Sequence, residues 1–424
     1  DFYLIGLINI QKFWNGQFYF MILEMKLTMK NKLIEFLDLG YQPLANKFLK
    51  KNELKKKEEK YRLKICFNKK NYLVTIKRRI SSKKMFDNKY PYRSSMSKLV
   101  RNSFKKLSKK VTKSLKPNNI LEIGSNDGSF MKNFNKNYIV GIEPCKNVEK
   151  ITRKKGFKTF PFYWNDTTAK FLLRKFGKFD LIFSANTISH IENLKQVFKN
   201  ISLVLSDNGT LIIEDPSLLS CLKTNTYDQF YNEHIYVFSC VGLQEILNKN
   251  DLEIYKVEKI NVHGGSNRYY IKKKSFKKKI ENSFKKELKN EIKYGLKNIN
   301  AYLNFAKRVK ASKSDLIKLF NNLKKKKSKI IGYGATAKST TILNYCKIDN
   351  KYIDYFLDTT PDKQNKYTPG TKIKINKYIK AIPADVDYTF LGAWNFKDEI
   401  FIKEAKYIKR GGKFIIHTPY PKII

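Results

Sequence analysis

The chain has 424 residues, enough for two or three domains at about 100–200 residues each, and its 42% hydrophobic share with 30 Phe and 26 Tyr excludes wholesale disorder. Five scattered cysteines exclude a disulfide framework and point to reduced thiols in a cytoplasmic setting. The formal charge of +49 comes from 86 Lys+Arg, of which only ten are arginine, spread along the whole chain; this reads as compositional bias on solvated faces and not as a specific nucleic-acid surface, which favours arginine's planar fork.

Residues 1–28 are apolar in places but broken by Lys12, Asn15 and Gln17, without a basic start before a compact apolar core. They read as a poorly specified N-terminal extension, not a signal peptide, with Met21, Met25 and Met29 as candidate natural starts. No stretch of the chain reaches the ~18–20 uninterrupted apolar residues of a membrane span. Residues 29–110 form a mixed module with short apolar runs (LDLGYQPLANKFL, NYLVTI) and a Lys-rich break at 50–60.

Residues 111–271 alternate strand-like runs, NILEIG (119–124), YIVGIEP (138–144), FDLIFSAN (179–186) and GTLIIED (209–215), with helical stretches. This is the pattern of a parallel sheet wound with helices. Residues 272–327 carry Phe284, Leu288, Ile292, Leu296, Ile299 and Leu303 at helical spacing and read as one or two exposed linker helices. Residues 328–424 restart the alternation with KIIGYGATAK, YIDYFLD, DYTFLGAW and GGKFIIHTP, a second and smaller α/β unit.

Three constellations carry chemistry. In ILEIGSNDGSF a strand runs into Gly124 and Gly128, which let the backbone approach a ligand closely, and Glu143 ends the next strand, where a carboxylate suits ribose hydroxyls. Glu122 beside the loop suits a cation and repels a diphosphate; Ser125 and Asn126 in the loop, and Asn186 at the end of FDLIFSAN, complete the candidate set. A glycine-containing turn of no special function is the alternative. The second constellation is Tyr231, Glu233 and His234, crowded into four residues of a chain with four histidines. Histidine is the natural general base near neutral pH, a neighbouring carboxylate can orient it, and a tyrosine hydroxyl can stabilise an oxyanion. His190 follows a strand on the same sheet edge. The third is Gly332-x-Gly334-x-x-Ala337 with Asp358 ending the next strand, which alone would suit a nicotinamide-dependent oxidoreductase, although the unit is too short for a full dinucleotide domain. That loop with Lys338, and HGGSNR with Ser266 and Arg268, are candidate sites for a substrate's diphosphate; structural turns are the alternative for both.

The ordered series LDLGYQPLANKFL, YPYRSSMS, LEIGSNDGSF, GIEP, ISHIENL, YNEH, VHGGSNRYYI, IIGYGATAKSTT, FLDTTPDKQNKYTPG, LGAWNFKDEI and GGKFIIHTPYP resembles the sugar C-methyltransferases over about residues 36–424. These S-adenosylmethionine-dependent enzymes methylate a carbon of nucleotide-linked 4-keto-deoxysugars. The resemblance implies a class I methyltransferase Rossmann-like core, a small N-terminal zinc-binding module and a C-terminal Rossmann-like domain that helps hold a nucleotide-sugar. It implies that His234 is the base of the family's Y-H-E-H motif, with Glu233, Tyr231 and the Tyr92 of KYPYRSS beside it, and that Gly124, Asn126, Gly128 and Glu143 hold the cofactor. Two departures stand out. The second motif position is Asn232, and the cysteine pairs of the zinc module are missing: Asn68-Lys69-Lys70-Asn71 stands where the second pair belongs. Tetrahedral zinc needs four N/S ligands, so no zinc is expected. Sugar O- or N-methylation on the same scaffold is the enzyme alternative; a nucleic-acid-binding protein and an inactive copy are the others. The sequence sets no oligomeric state.

Overall fold

The computed structural model describes residues 33–424, so the extension at 1–28 lies outside the described residues. Among the described residues three sheets account for the named strands. The N-terminal sheet joins β1 (Leu33–Pro43), β2 (Lys60–Asn68) and β3 (Val74–Ile76) as antiparallel neighbours.

The central sheet contains β4 (Ile120–Ile123), β5 (Ile139–Ile142), β6 (Lys158–Phe160), β7 (Phe179–Ala185) and β8 (Leu205–Pro216). The short β9 (Tyr236–Val237) leaves that unit and pairs with β3, closing the N-terminal sheet. β10 (Leu252–Ile260) and β11 (Ser266–Lys273) return to the central sheet, whose order is β10-β11-β8-β7-β4-β5-β6. β4 to β8 are parallel and β11 runs antiparallel to β8. The chain winds outward from β4 to β6, then starts again at β7 on the other side. The crevice between the carboxyl ends of β4 and β7 is therefore the topological switch point, where open α/β sheets bind ligands.

Both faces of this sheet are covered, which is why its strands read as unbroken apolar runs. The helix Lys98–Leu115 begins on the Ser97 hydroxyl, which accepts from the Val100 amide, and buries Val100, Phe104, Leu107 and Val111 against Ile120, Phe130 and Phe183. It runs across the expected module boundary at 110.

The third sheet has the order β14-β13-β12-β15-β16-β17, from β12 (Ile330–Tyr333), β13 (Tyr355–Asp358), β14 (Lys374–Lys377), β15 (Tyr388–Leu391), β16 (Lys413–Ile416) and β17 (Lys422–Ile423). It has its own switch point between β12 and β15.

The linker helices differ from expectation. The helix Asn282–Tyr294 ends at Gly295, in a left-handed conformation (φ 95°), and a second helix spans Ile299–Lys325. The first helix buries Phe284, Glu287 and Glu291, and successive steps of four residues drift off that face, so Ile292 is already 46% exposed before the break; past it the phase is reset and Leu303 is 42% exposed. The buried face of the long helix is Tyr302, Phe305, Val309, Leu316 and Phe320. Tyr302 stacks on Phe67 at 4.7 Å and meets Phe36 at 5.1 Å, so this helix is a packing partner of the N-terminal sheet and not a solvated bridge.

Candidate active site

At the switch point of the central sheet the chain turns through Gly124 (φ 78°) and Asn126 (φ 48°). A Cβ on Gly124 would lie 2.1 Å from the Thr187 hydroxyl, so glycine is required there for both conformation and space. Gly128 (φ 76°) serves the turn itself, packing against Thr152. A cavity of about 470 Å³ opens over the loop, lined by Glu122, Gly124, Ser125, Asn126, Glu143 and Asn186 among others, but not by Gly128. Glu143 accepts from the amides of Asn126 (3.0 Å) and Cys145 (2.9 Å), which fixes the carboxylate and leaves each oxygen a further lone pair. Glu122 is buried with Oε2 lacking any partner; burial, then the nearby Asp127 and Glu143, push its carboxyl well up. A buried orphaned carboxyl oxygen beside a glycine cradle, with a second carboxylate at the next strand tip, fits a cationic nucleoside such as S-adenosylmethionine.

A second cavity, also about 470 Å³, lies between this sheet and the C-terminal unit. Tyr90, Tyr92, Asn186, His190 and His263 line both cavities, so the two abut. Tyr231, His234, Gly334, Lys338 and Asp358 line the second.

The His234 geometry defines its protonation. Nδ1 lies 2.8 Å from the Gln229 carbonyl, which can only accept, so Nδ1 carries the proton. The lone pair is on Nε2, where the Tyr231 hydroxyl donates at 2.5 Å. Burial first, then the neighbouring His190, hold the imidazole well below its ordinary value, so it is neutral. His190 stacks on it at 5.0 Å; burial lowers His190 to about 3, and its Nε2 has no partner. Tyr92 lines both cavities although 36% of it is exposed, and its hydroxyl, held above its ordinary value, is a neutral donor.

Glu233 does not orient His234. Its Oε1 accepts from Asn46 Nδ2 (2.8 Å) and its Oε2 from the Tyr90 hydroxyl (2.9 Å), and burial raises it to about 7. Sequence adjacency put the two side chains together; the turn closed by the His234 amide on the Tyr231 carbonyl separates them. The Gln229 carbonyl does the orienting.

Two candidate phosphate ligands are also corrected. Arg268 sits in β11 directly opposite Glu214 of β8 and donates to it through Nε at 2.7 Å, with its outer nitrogen on the Ser103 hydroxyl at 2.7 Å. It is 3% exposed and lines neither cavity. Ser266, also buried, donates to the Val262 carbonyl and likewise lines neither cavity. The residue of that loop that reaches both cavities is His263 (φ 55°), just before the two glycines. Lys338 does line the second cavity, and its Nζ donates to the His263 carbonyl at 3.0 Å.

Asn46, Tyr90, Gln229 and His263 were not singled out from the sequence. Tyr90 shares its motif with Tyr92, and His263 begins HGGSNR, so both had a signal; backbone carbonyls and a lone asparagine leave none.

Within residues 33–86 the described N/S ligands amount to Cys66, whose buried thiol is pushed up to about 11. Among the described residues no group of three His, Cys, Asp or Glu could hold a metal. The residues present do not fit a tetrahedral zinc. Among the described residues no helix is long and apolar enough to cross a membrane.

Three family models match in tandem: "Putative zinc binding domain" over residues 27–86, "Methyltransferase domain" over 92–257 and "C-methyltransferase C-terminal domain" over 261–419. The N-terminal match thus falls on a stretch lacking the ligands its description names. A curated relative, the C-methyltransferase NovU of Streptomyces niveus, is 26% identical over 307 residues, covering 72% of this chain and 73% of its own. Similar solved structures include a possible histamine N-methyltransferase of Thermotoga maritima (20% identity, 42% of this chain and 89% of that one, TM-score 0.31). Another is the magnesium protoporphyrin IX methyltransferase of Synechocystis PCC 6803 (10% identity, 40% and 78%, TM-score 0.30).

Proposed function

We propose that this chain, a member of the S-adenosylmethionine-dependent C-methyltransferases, methylates a ring carbon of a nucleoside-diphosphate 4-keto-deoxysugar. The observation that carries the reading is the neutral His234, with its lone pair on Nε2, in the wall of a cavity that abuts the glycine-loop cavity through Asn186, His190 and His263. When bound over the loop, S-adenosylmethionine supplies an electrophilic methyl group, with Glu122 facing its cationic end and Glu143 its ribose hydroxyls.

Carbon has no lone pair to offer, so the protein must create one. The ketone acidifies the adjacent C–H; His234 Nε2 takes that proton, and the electron pair becomes an enolate. The Tyr231 hydroxyl, which occupies Nε2 in the resting site, turns to the ketone oxygen as substrate enters and donates to the developing oxyanion. The buried imidazole, flanked by His190, His263 and Lys338, disfavours a positive charge, so it holds the proton only while the enolate supplies the countercharge. The enolate carbon would then form its new bond to the methyl carbon as the methyl–sulfur bond breaks, the bonding pair staying on the sulfur of the S-adenosylhomocysteine that leaves. Holding both reactants in near-attack geometry is worth about 7–11 kcal/mol. The diphosphate lies toward Lys338 and the Gly334 turn at the start of the helix Ala337–Cys346.

His234→Ala should lower methyl transfer about 10²–10⁴-fold while S-adenosylhomocysteine affinity stays within twofold. A panel of thymidine-, GDP- and CDP-linked keto-sugars, with NMR of the product, identifies the acceptor. Full turnover by the variant, or an O- or N-methyl product, would overturn the reading.

A further inference from the structure

The base has a second connection that runs into the C-terminal unit. Gln229 offers its backbone carbonyl to His234 Nδ1 at 2.8 Å, and its side-chain Nε2 donates to the His263 carbonyl at 2.6 Å. Lys338, from the C-terminal unit, donates to that same His263 carbonyl at 3.0 Å. One carbonyl thus receives two donors: one from the residue that holds the base, the other from the lysine at the diphosphate end of the second cavity. The neighbouring residue fixes the same loop from another direction. Asp228 accepts from Trp394 Nε1 at 2.6 Å, and the Trp394 ring lies over Gly264 so closely that a Cβ there would be 2.3 Å from it. Loop 227–234 is therefore tied to loop 262–265 directly at Gln229 and, by way of Trp394, at Asp228, both of them buried.

We propose that Gln229 is a positioning residue: by anchoring its side chain on the His263 carbonyl it holds its own carbonyl where it locks His234 in the Nδ1–H tautomer. This rests on the assignment of His234 as the base. It makes base geometry depend on the 262–265 loop, which Lys338 also grips, so the acceptor cavity and the base share one frame. The alternative is a simple wall contact, since Gln229 Oε1 has no partner and the residue lines the second cavity.

Gln229→Met keeps length and the backbone carbonyl but removes the side-chain donor. It should lower kcat about 10–100-fold with KM for the nucleotide-sugar within twofold, the response to a misplaced group and not to a lost ligand contact. Lys338→Met should differ by raising KM for the nucleotide-sugar, which Gln229→Met leaves unchanged. Nitrogen-15 NMR of the histidines should show His234 as the Nδ1–H tautomer in the unmodified protein and as a mixture in Gln229→Met. A KM effect alone, or an unchanged tautomer, would overturn the proposal. So would an Nε2–H tautomer in the unmodified protein, which needs no variant to fold. If the unmodified protein turns over no nucleotide-sugar, the proposed function fails; if it turns over and Gln229→Met matches it, only this inference does.

Discussion

Lys338 is an ammonium buried in the wall of the second cavity, 8% exposed, with Trp394 5.5 Å beneath it and the His263 carbonyl as its acceptor. Burial drags it from the ordinary lysine range to about 8, against the opposing pull of Asp228 and the Cys221 thiol. If the charged form grips the substrate's diphosphate, affinity falls where the free enzyme loses that proton. A nucleotide-sugar's doubly substituted diphosphate has no proton to lose between pH 7 and 9, so the enzyme sets the profile. At pH 7 about nine-tenths of the sites carry the charge and at pH 9 about one-tenth, so KM should be flat below about pH 8 and rise about tenfold per unit above it. Asp215, whose carboxyl burial raises to about 8, ionises in the same range. Lys338→Met separates the two: its KM should be high at pH 7 and flat to 9.5, whereas an Asp215 effect would persist. The assay is initial-rate KM at fixed saturating S-adenosylmethionine in constant ionic strength. A flat profile in the unmodified enzyme, or a rise surviving in Lys338→Met, would refute the assignment of Lys338 to the diphosphate.

Tyr302→Ala removes a fully buried ring stacked between Phe67 and Phe36, whose hydroxyl donates to the Leu296 carbonyl at 2.8 Å, and should cost about 3–5 kcal/mol in denaturant unfolding. Addition of a chelator to the unmodified protein should leave its Tm unchanged, and metal analysis should find less than one zinc per chain. Arg268→Met strands the Glu214 carboxylate in the core and should cost about 3–5 kcal/mol by the same measurement. KM for the nucleotide-sugar in the folded fraction should stay within twofold, since Arg268 touches neither cavity.

The strands and the glycine turn were legible because each is a local signal. An apolar run bounded by glycine has one reading, and a carboxylate at the tip of the next strand falls beside the turn through the parallel pairing of β4 and β5. His234 was legible as a reactive group from its motif, but its partner was not. The Gln229 carbonyl leaves no trace in residue identity, and Glu233, the obvious neighbour, is drawn away by Asn46, 187 positions distant in sequence. Arg268 misled for a related reason. An arginine after two glycines looks like an anion ligand until β11 is laid antiparallel on β8, and that register places Glu214 opposite it. Long-range pairing, and not residue type, decided both cases.

The N-terminal module raises the question of how a fold matched to a zinc-binding description stands without the ligands. Structural zinc contributes about 10–16 kcal/mol to small metal-folded domains, so its role must be met by something of similar size. At the β2–β3 turn, asparagines stand where the metal-binding pair is expected. Asn68 Oδ1 accepts from the Lys70 amide at 2.9 Å and Asn71 Oδ1 from the Leu73 amide at 3.3 Å, so the turn's N–H groups are satisfied by side chains. Those bonds are worth about 1 kcal/mol each, far short of what is needed. The module's own buried side chains, among them Leu63, Ile65, Phe67, Val74 and Ile76, contribute, and further contacts come from outside it. β9 extends its sheet, the long helix stacks Tyr302 onto it, the Leu49 amide donates to the Tyr367 carbonyl at 2.9 Å, and the Thr340 hydroxyl donates to the Ala45 carbonyl at 3.1 Å. These contacts tie the module to both other units, and through Asn46, which lines the second cavity and donates to Glu233, the module also reaches the candidate site.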